Sequence, residues 1–174
     1  MRVLTISTLF PRPTSPGFGR FVALRVRELA RLCDLAVAAP VPRFNVHGET
    51  SNSPLPNPLA AGLDVHYLRW FNVPGFASTH SGAIAKKVVS WARDQHKTKP
   101  FSVIDAQYGY PDSPVARQVS ETLGIPYVVT LRGSEVEHAQ DTDHRAALSL
   151  SFQRAAAIIG VSKRLADFAV SLGA

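Results

Sequence analysis

The feature that most restricts this chain is its apolar period, which switches repeatedly between alternate residues and about every 3.6 residues. Residues 2–7 form a short β-branched, apolar run, and a Pro- and Gly-rich loop over 10–19 separates it from a helical stripe of Phe21, Leu24, Leu29 and Leu32 that ends near Cys33. A second strand is predicted over 34–39, stopped by Pro40 and Pro42, and a third over 64–70. Between them, residues 43–62 hold Pro54, Pro56 and Pro58 without periodicity and read as a long excursion. A turn at 73–75 leads to a helix over 78–96 with Ile84, Val88 and Trp91 on one stripe. The second half repeats the unit: strand 102–106, loop 107–111, helix to 123, strand 127–131, loop 132–138, helix 142–154, strand 156–161, and a last helix from Ser162.

Helical crossovers between successive strands require parallel pairing with a right-handed sense. The expectation is one α/β domain over 1–174, a doubly wound, mainly parallel Rossmann-like sheet ordered 3-2-1-4-5-6. With 174 residues, 45% of them hydrophobic and 18% charged, the chain can bury one full core and lacks the composition of a disordered segment. The single cysteine, Cys33, continues the apolar helix face and reads as a small core residue. Pro11 and Pro13 interrupt the N-terminal apolar run before it resembles a secretion signal, and no run of eighteen apolar residues occurs, so a cytoplasmic location is expected.

A net charge of +6 calls for an anionic partner. The basic residues are scattered and lack nucleic-acid-binding spacing, so no nucleic acid is expected. Lys86, Lys87, Arg93 and Lys97, beside Trp91, offer a peripheral membrane contact, with a solvated basic face as the alternative. The six histidines form no convincing metal-ligand spacing; only His138 and His144 come near it.

Ligands of open parallel sheets bind at the carboxyl ends of strands where the strand order reverses. That rule selects three loops. After the first strand, Gly17, Gly19 and Arg20 precede a helix whose free amides suit an oxyanion, or they simply form the helix entry. After the fourth strand, Gln107, Tyr108, Tyr110 and Asp112 suit a hydroxyl-rich ligand, with rings for sugar faces and polar ends for hydroxyls. The alternative makes Asp112 a helix cap and the tyrosines packing residues. After the fifth strand, Arg132, Gly133, Ser134 and Glu135 bring a guanidinium and a carboxylate close to a turn, to meet a ligand or to pair with each other.

The segments "TLFPRPTSPGFGRFV", "FSVIDAQYGYPDSPVARQVSETLGIPYVVTLRGSE" and "AAAIIGVSKRLADFAVSLGA" together resemble the N-terminal domain of retaining, family-four glycosyltransferases with the GT-B fold. The resemblance implies transfer of a sugar from a nucleotide-sugar donor to a glycan or lipid-linked acceptor, without a bound metal or other cofactor. It implies that Gly17 and Gly19 lie beside the donor diphosphate, that Tyr110 and Asp112 border the acceptor, and that Arg132, Gly133 and Glu135 sit by the transferred sugar, Arg132 and Glu135 in catalytic roles. Gln107 stands where such enzymes often carry His, Ser113 where Gly is usual and Glu135 where Asp is usual. It further implies a second, donor-binding domain absent from this sequence, so the chain alone is expected to be inactive. The alternative is a non-catalytic module binding a glycan, lipid or protein.

Overall fold

The computed structural model describes residues 1–12, 15, 17–43, 60–71 and 80–174. Its strands are β1 (Arg2–Ile6), β2 (Asp34–Pro42), β3 (Asp64–Trp70), β4 (Val103–Ala106), β5 (Tyr127–Leu131) and β6 (Ala157–Gly160). Its helices are α1 (Arg20–Leu29), α2 (His80–Thr98), α3 (Asp112–Leu123), α4 (Ser134–His138), α5 (Thr142–Arg154) and α6 (Lys163–Ser171). All neighbouring strands pair in parallel, in the order β3-β2-β1-β4-β5-β6, as the crossover argument requires. The order reverses between β1 and β4.

Alternation along β1 divides the interior into two layers. Leu4 and Ile6 face a large core built with Ile84 and Val88 of α2, Val115 and Val119 of α3, and Leu148 and Phe152 of α5. Val3 faces the opposite side, where Val22, Ala23 and Val26 of α1 pack on Leu35, Val37 and Ala39 of β2. Tyr127 anchors α5 to the sheet by donating its hydroxyl hydrogen to the Ser151 carbonyl. Trp91 is half-buried and turned inward, its ring 4.7 Å from that of His66 and 6.4 Å from that of Phe101. Lys86, Lys87, Arg93 and Lys97 remain exposed. No helix among the described residues is long and apolar enough to cross a membrane.

Several boundaries differ from the sequence expectation. Strand β2 runs through both prolines to Pro42. The Ala38 carbonyl faces β1, accepting from the Ser7 amide at 3.1 Å, so Pro40 and Pro42 point to the same side. There β1 has ended, its last paired residue being Ile6 opposite Ala38, and no amide is needed. Helix α1 stops at Leu29, and a turn carries the chain to Cys33, whose half-buried thiol donates to the Leu29 carbonyl at 3.4 Å. The loop expected over 132–138 contains α4, five residues long and too short to show a helical period. Most of the excursion expected over 43–62 and the whole turn at 73–75 lie outside the described residues.

The two glycines before α1 differ in kind. Gly19 is the α1 N-cap with φ of +65°, and a Cβ there would overlap the Leu9 carbonyl; a Cβ at Gly17 meets nothing within 4 Å. Gly19→Ala should therefore cost about 2 kcal/mol or more, from left-handed strain plus a backbone clash. Gly17→Ala should change stability by less than about 0.5 kcal/mol. Urea unfolding of the two variants checks the contrast.

Candidate functional site

The loops after β1, β4 and β5 meet on one rim and are bonded to one another. From the first loop, Thr8 donates its backbone amide (3.1 Å) and hydroxyl (2.8 Å) to Oδ1 of Asp112. The amide of Gly109, in the second loop, donates to Oε1 of Glu135 at 3.0 Å. Arg132, in the third, reaches back to Gln107, donating Nε–H to its carbonyl (3.2 Å) and Nη2–H to its Oε1 (2.8 Å).

Glu135 is fully buried, and its carboxylate does not pair with the Arg132 guanidinium. It accepts instead from backbone amides: Gly109, Arg132 at 3.2 Å to either oxygen, and Gly133 at 2.6 Å. Charge-assisted bonds of this kind are about twice as strong as neutral ones. Gly109 must lack a side chain, because a Cβ there would overlap Cγ of Glu135. Gly133 is the α4 N-cap with φ of +130°, which lets its amide turn toward the same carboxylate.

Asp112 does not cap its own helix. It is the first residue of α3, behind the N-cap Pro111, and makes no capping bond. Its carboxyl instead holds Thr8, while Oδ2 finds no hydrogen-bond partner among the described residues. Burial pushes this carboxyl up to about 7; the Thr8 bonds oppose the rise, and the nearby Glu135 and Asp105 carboxylates add to it.

The two tyrosines of this loop diverge. Tyr108 packs into the α1-side core, with Phe21 edge-on at 6.2 Å. Burial raises its phenol to about 12, so it stays protonated and can donate. Tyr110 enters the other core, its ring 4.0 Å from that of His144 and 5.5 Å from that of His138. His138 and His144 thus come together, at 6.0 Å between ring centres, but no cluster of three metal-ligating side chains exists among the described residues.

An open groove of about 500 Å³ runs along the rim, lined by Leu9, Phe21, Tyr108, Arg132, Ser134 and Val161. The half-buried Arg132 guanidinium stands 4.9 Å over the Phe21 ring. Loss of hydration lowers its pKa, with Arg25 acting the same way and Tyr108, Asp105 and Glu135 opposing. Of the expected site residues, Tyr108, Arg132 and Ser134 line the groove. Gln107 and Glu135 are buried behind it. Gly17 and Arg20 are exposed at the entry to α1, Gly19 is fixed against Leu9, and Tyr110 and Asp112 are buried at the start of α3. Sequence reasoning missed Leu9, Phe21 and Val161 as lining residues and Thr8 as the partner of Asp112; the available signal was a large apolar Phe21 at a helix start.

No family model matches the chain. It is 31% identical over 147 residues to a putative teichuronic acid biosynthesis glycosyltransferase, TuaC, of Bacillus subtilis, a match covering 78% of the chain and 37% of the relative. The chain is glycosyltransferase-like. Its fold matches sucrose-phosphate synthase of Thermosynechococcus elongatus (TM-score 0.65, 13% identity, 98% of the chain and 45% of that structure). It also matches UGT89C1 of Arabidopsis thaliana complexed with UDP (TM-score 0.56, 14% identity, 92% and 42%). A putative UDP-N-acetylglucosamine 2-epimerase of Listeria monocytogenes superposes comparably (TM-score 0.62, 10% identity, 99% and 42%). The architecture is GT-B-like, and these structures establish the fold alone.

The Asp112 carboxyl, raised from 3.8 to about 7, keeps a proton in the native chain that the unfolded chain has already released. Its contribution to stability therefore falls as pH rises between those two values. Asp112→Asn keeps an acceptor for Thr8 and removes this titration. Urea unfolding at a series of pH values should show a smaller decline between pH 4 and 7 in the variant than in the parent.

Proposed function

We propose that this chain supplies the acceptor-side half of a retaining, family-four glycosyltransferase, moving a sugar from a nucleotide-sugar donor to a glycan or lipid-linked acceptor. The observation that carries this reading is the half-buried Arg132 guanidinium, held on Gln107 and Phe21 at the groove beside the strand-order reversal. Ligands of such sheets gather at that crevice.

As the bond from sugar to diphosphate breaks, negative charge grows on the departing phosphate oxygen. A cation already fixed in place stabilises that charge without having to reorganise. Arg132 takes this catalytic role, with the Tyr108 phenol and Ser134 hydroxyl as further donors and the Phe21 ring as an apolar wall for the sugar. Gly17, Gly19 and Arg20 lie at the start of α1, where the positive end of the helix dipole and a cation suit the diphosphate. Glu135 positions Arg132 by holding its backbone amide, and does not itself meet the substrate. Tyr110 and Asp112 support the acceptor side. The named activity of the Bacillus subtilis relative and the UDP bound to the Arabidopsis thaliana structure favour a nucleotide-diphosphate donor. The match covers only 37% of that relative, and the reading assigns most of the nucleotide to the part of such an enzyme outside the matched segment.

The test is a chimaera in which this chain replaces the matched segment of the Bacillus subtilis relative, assayed for nucleotide release from UDP-sugars against the unaltered relative. The chimaera should turn over, and Arg132→Ala should lower kcat by about a hundredfold or more. An inactive chimaera beside an active relative, or an Arg132→Ala chimaera with undiminished kcat, would overturn the reading.

A lipid-linked acceptor also gives the exposed Lys86, Lys87, Arg93 and Lys97 of α2 a role against anionic headgroups. With Trp91 turned inward, that contact is electrostatic and salt-sensitive. Sedimentation with phosphatidylglycerol vesicles should show binding at low salt that is lost on Lys86→Glu with Lys87→Glu; equal sedimentation with neutral phosphatidylcholine vesicles would remove the membrane role.

A further inference from the structure

We infer that Asp105 and Arg25 are positioning residues for Arg132, acting through the side-chain amide of Gln107. Asp105 lies on β4, paired with Thr5 of β1 on one side and Val128 of β5 on the other, so its backbone is fixed in the middle of the sheet. Its carboxylate is buried. Arg25 of α1 donates Nη1–H to both oxygens, at 3.2 and 3.1 Å, and the Thr5 hydroxyl lies 3.4 Å from Oδ2. The remaining partner is Gln107, which donates its Nε2–H to Oδ2.

A side-chain amide has one donating and one accepting end. A carboxylate only accepts and a guanidinium only donates, so these two neighbours dictate the same orientation of the Gln107 amide. With Nε2 turned to Asp105, Oε1 is the end presented to Arg132, and it receives Nη2–H at 2.8 Å. Gln107 is fully buried, so its amide exchanges no partner with water. The guanidinium is thereby referred, through one amide, to an ion pair anchored in the central strands. Replacing Asp105 by Asn would remove the charged acceptor that holds Nε2, leaving Arg132 alone to orient the Gln107 amide against a neighbour that can offer either end.

The functional meaning of this relay rests on the reading of Arg132 as the cation that meets the donor. The relay itself is measured in ligand-free protein, so its failure and the failure of that reading are separate results. The probe is hydrogen exchange of the Arg132 Nη2–H group, the one that Gln107 Oε1 holds, followed by nitrogen-15 NMR of the whole chain, with backbone amide shifts as the control for the fold.

Asp105→Asn should speed that exchange by about tenfold or more while the backbone signals of the sheet stay in place. Gln107→Met should do the same, and adding Asp105→Asn to Gln107→Met should change nothing further, because the link is already cut. If Asp105→Asn does not fold, Arg25→Met carries the test: its side chain is 35% exposed, it removes the counter-charge of Asp105, and the same signal should quicken. Unchanged Arg132 exchange in a folded Asp105→Asn or Arg25→Met protein overturns the proposal. So does an effect of Asp105→Asn that persists in full in the Gln107→Met background, which would make Asp105 act by its field or by general stability.

Discussion

The rim depends on one buried carboxylate. Backbone amides turned inward at a loop must be paired, since an orphaned buried donor costs about 1–3 kcal/mol. Glu135 pairs three such amides at once, from Gly109, Arg132 and Gly133. It thereby joins the loop after β4 to the loop after β5, and sets the direction in which the chain leaves β5. The short helix α4 follows from this bond, and so does the departure point of the Arg132 side chain. A glycine at 109 is the steric condition, because only a residue without Cβ leaves room for the Glu135 stem.

Three buried acids share this small region, and each is spent differently. Glu135 binds backbone, Asp112 binds Thr8 across 104 residues of sequence, and Asp105 sits between Arg25 and Gln107. Their mutual repulsion contributes to the raised Asp112 carboxyl, whose first cause is loss of hydration. The arrangement keeps negative charge behind the loops and leaves a cation at the groove. That polarity suits an anionic ligand, and an inward-facing Arg with outward-facing acids would not.

The sheet was legible because its signal is local: each strand declares its own run, and chirality then limits the order of strands. The stripe expected for α1 misled, since Phe21, Leu24 and Leu32 are exposed and Val22, Ala23 and Val26 form its buried face. What was lost depended on neighbours. Whether Pro40 ends β2 is decided by how far β1 reaches, which no window around residue 40 contains. In the same way, Asp112 looked like a cap because its partner Thr8 lies in a distant loop. The sequence left open whether Arg132 and Glu135 pair with each other or meet a ligand. It could not show that Glu135 takes backbone amides while the guanidinium takes Gln107, since a salt bridge and an amide-bound carboxylate have the same spacing. Tyr108 and Tyr110 read as one aromatic pair, yet they enter opposite cores on either side of the sheet.

The two prolines of β2 have a geometric effect on the whole upper edge. Strands β1 and β4 stop level with each other, Ile6 beside Ala106. Strand β2 continues past Ala38 to Pro42, still paired with β3, and β5 continues past Val129 to Leu131, still paired with β6. At about 3.3 Å per residue the flanks stand roughly 13 Å and 7 Å above the middle. The edge is therefore a saddle with unequal shoulders, lowest at the point where the winding changes direction. A molecule arriving from above is walled in on the β3 side and meets a lower bank toward β6, so the saddle itself gives the crevice a preferred direction of approach before any side chain is consulted.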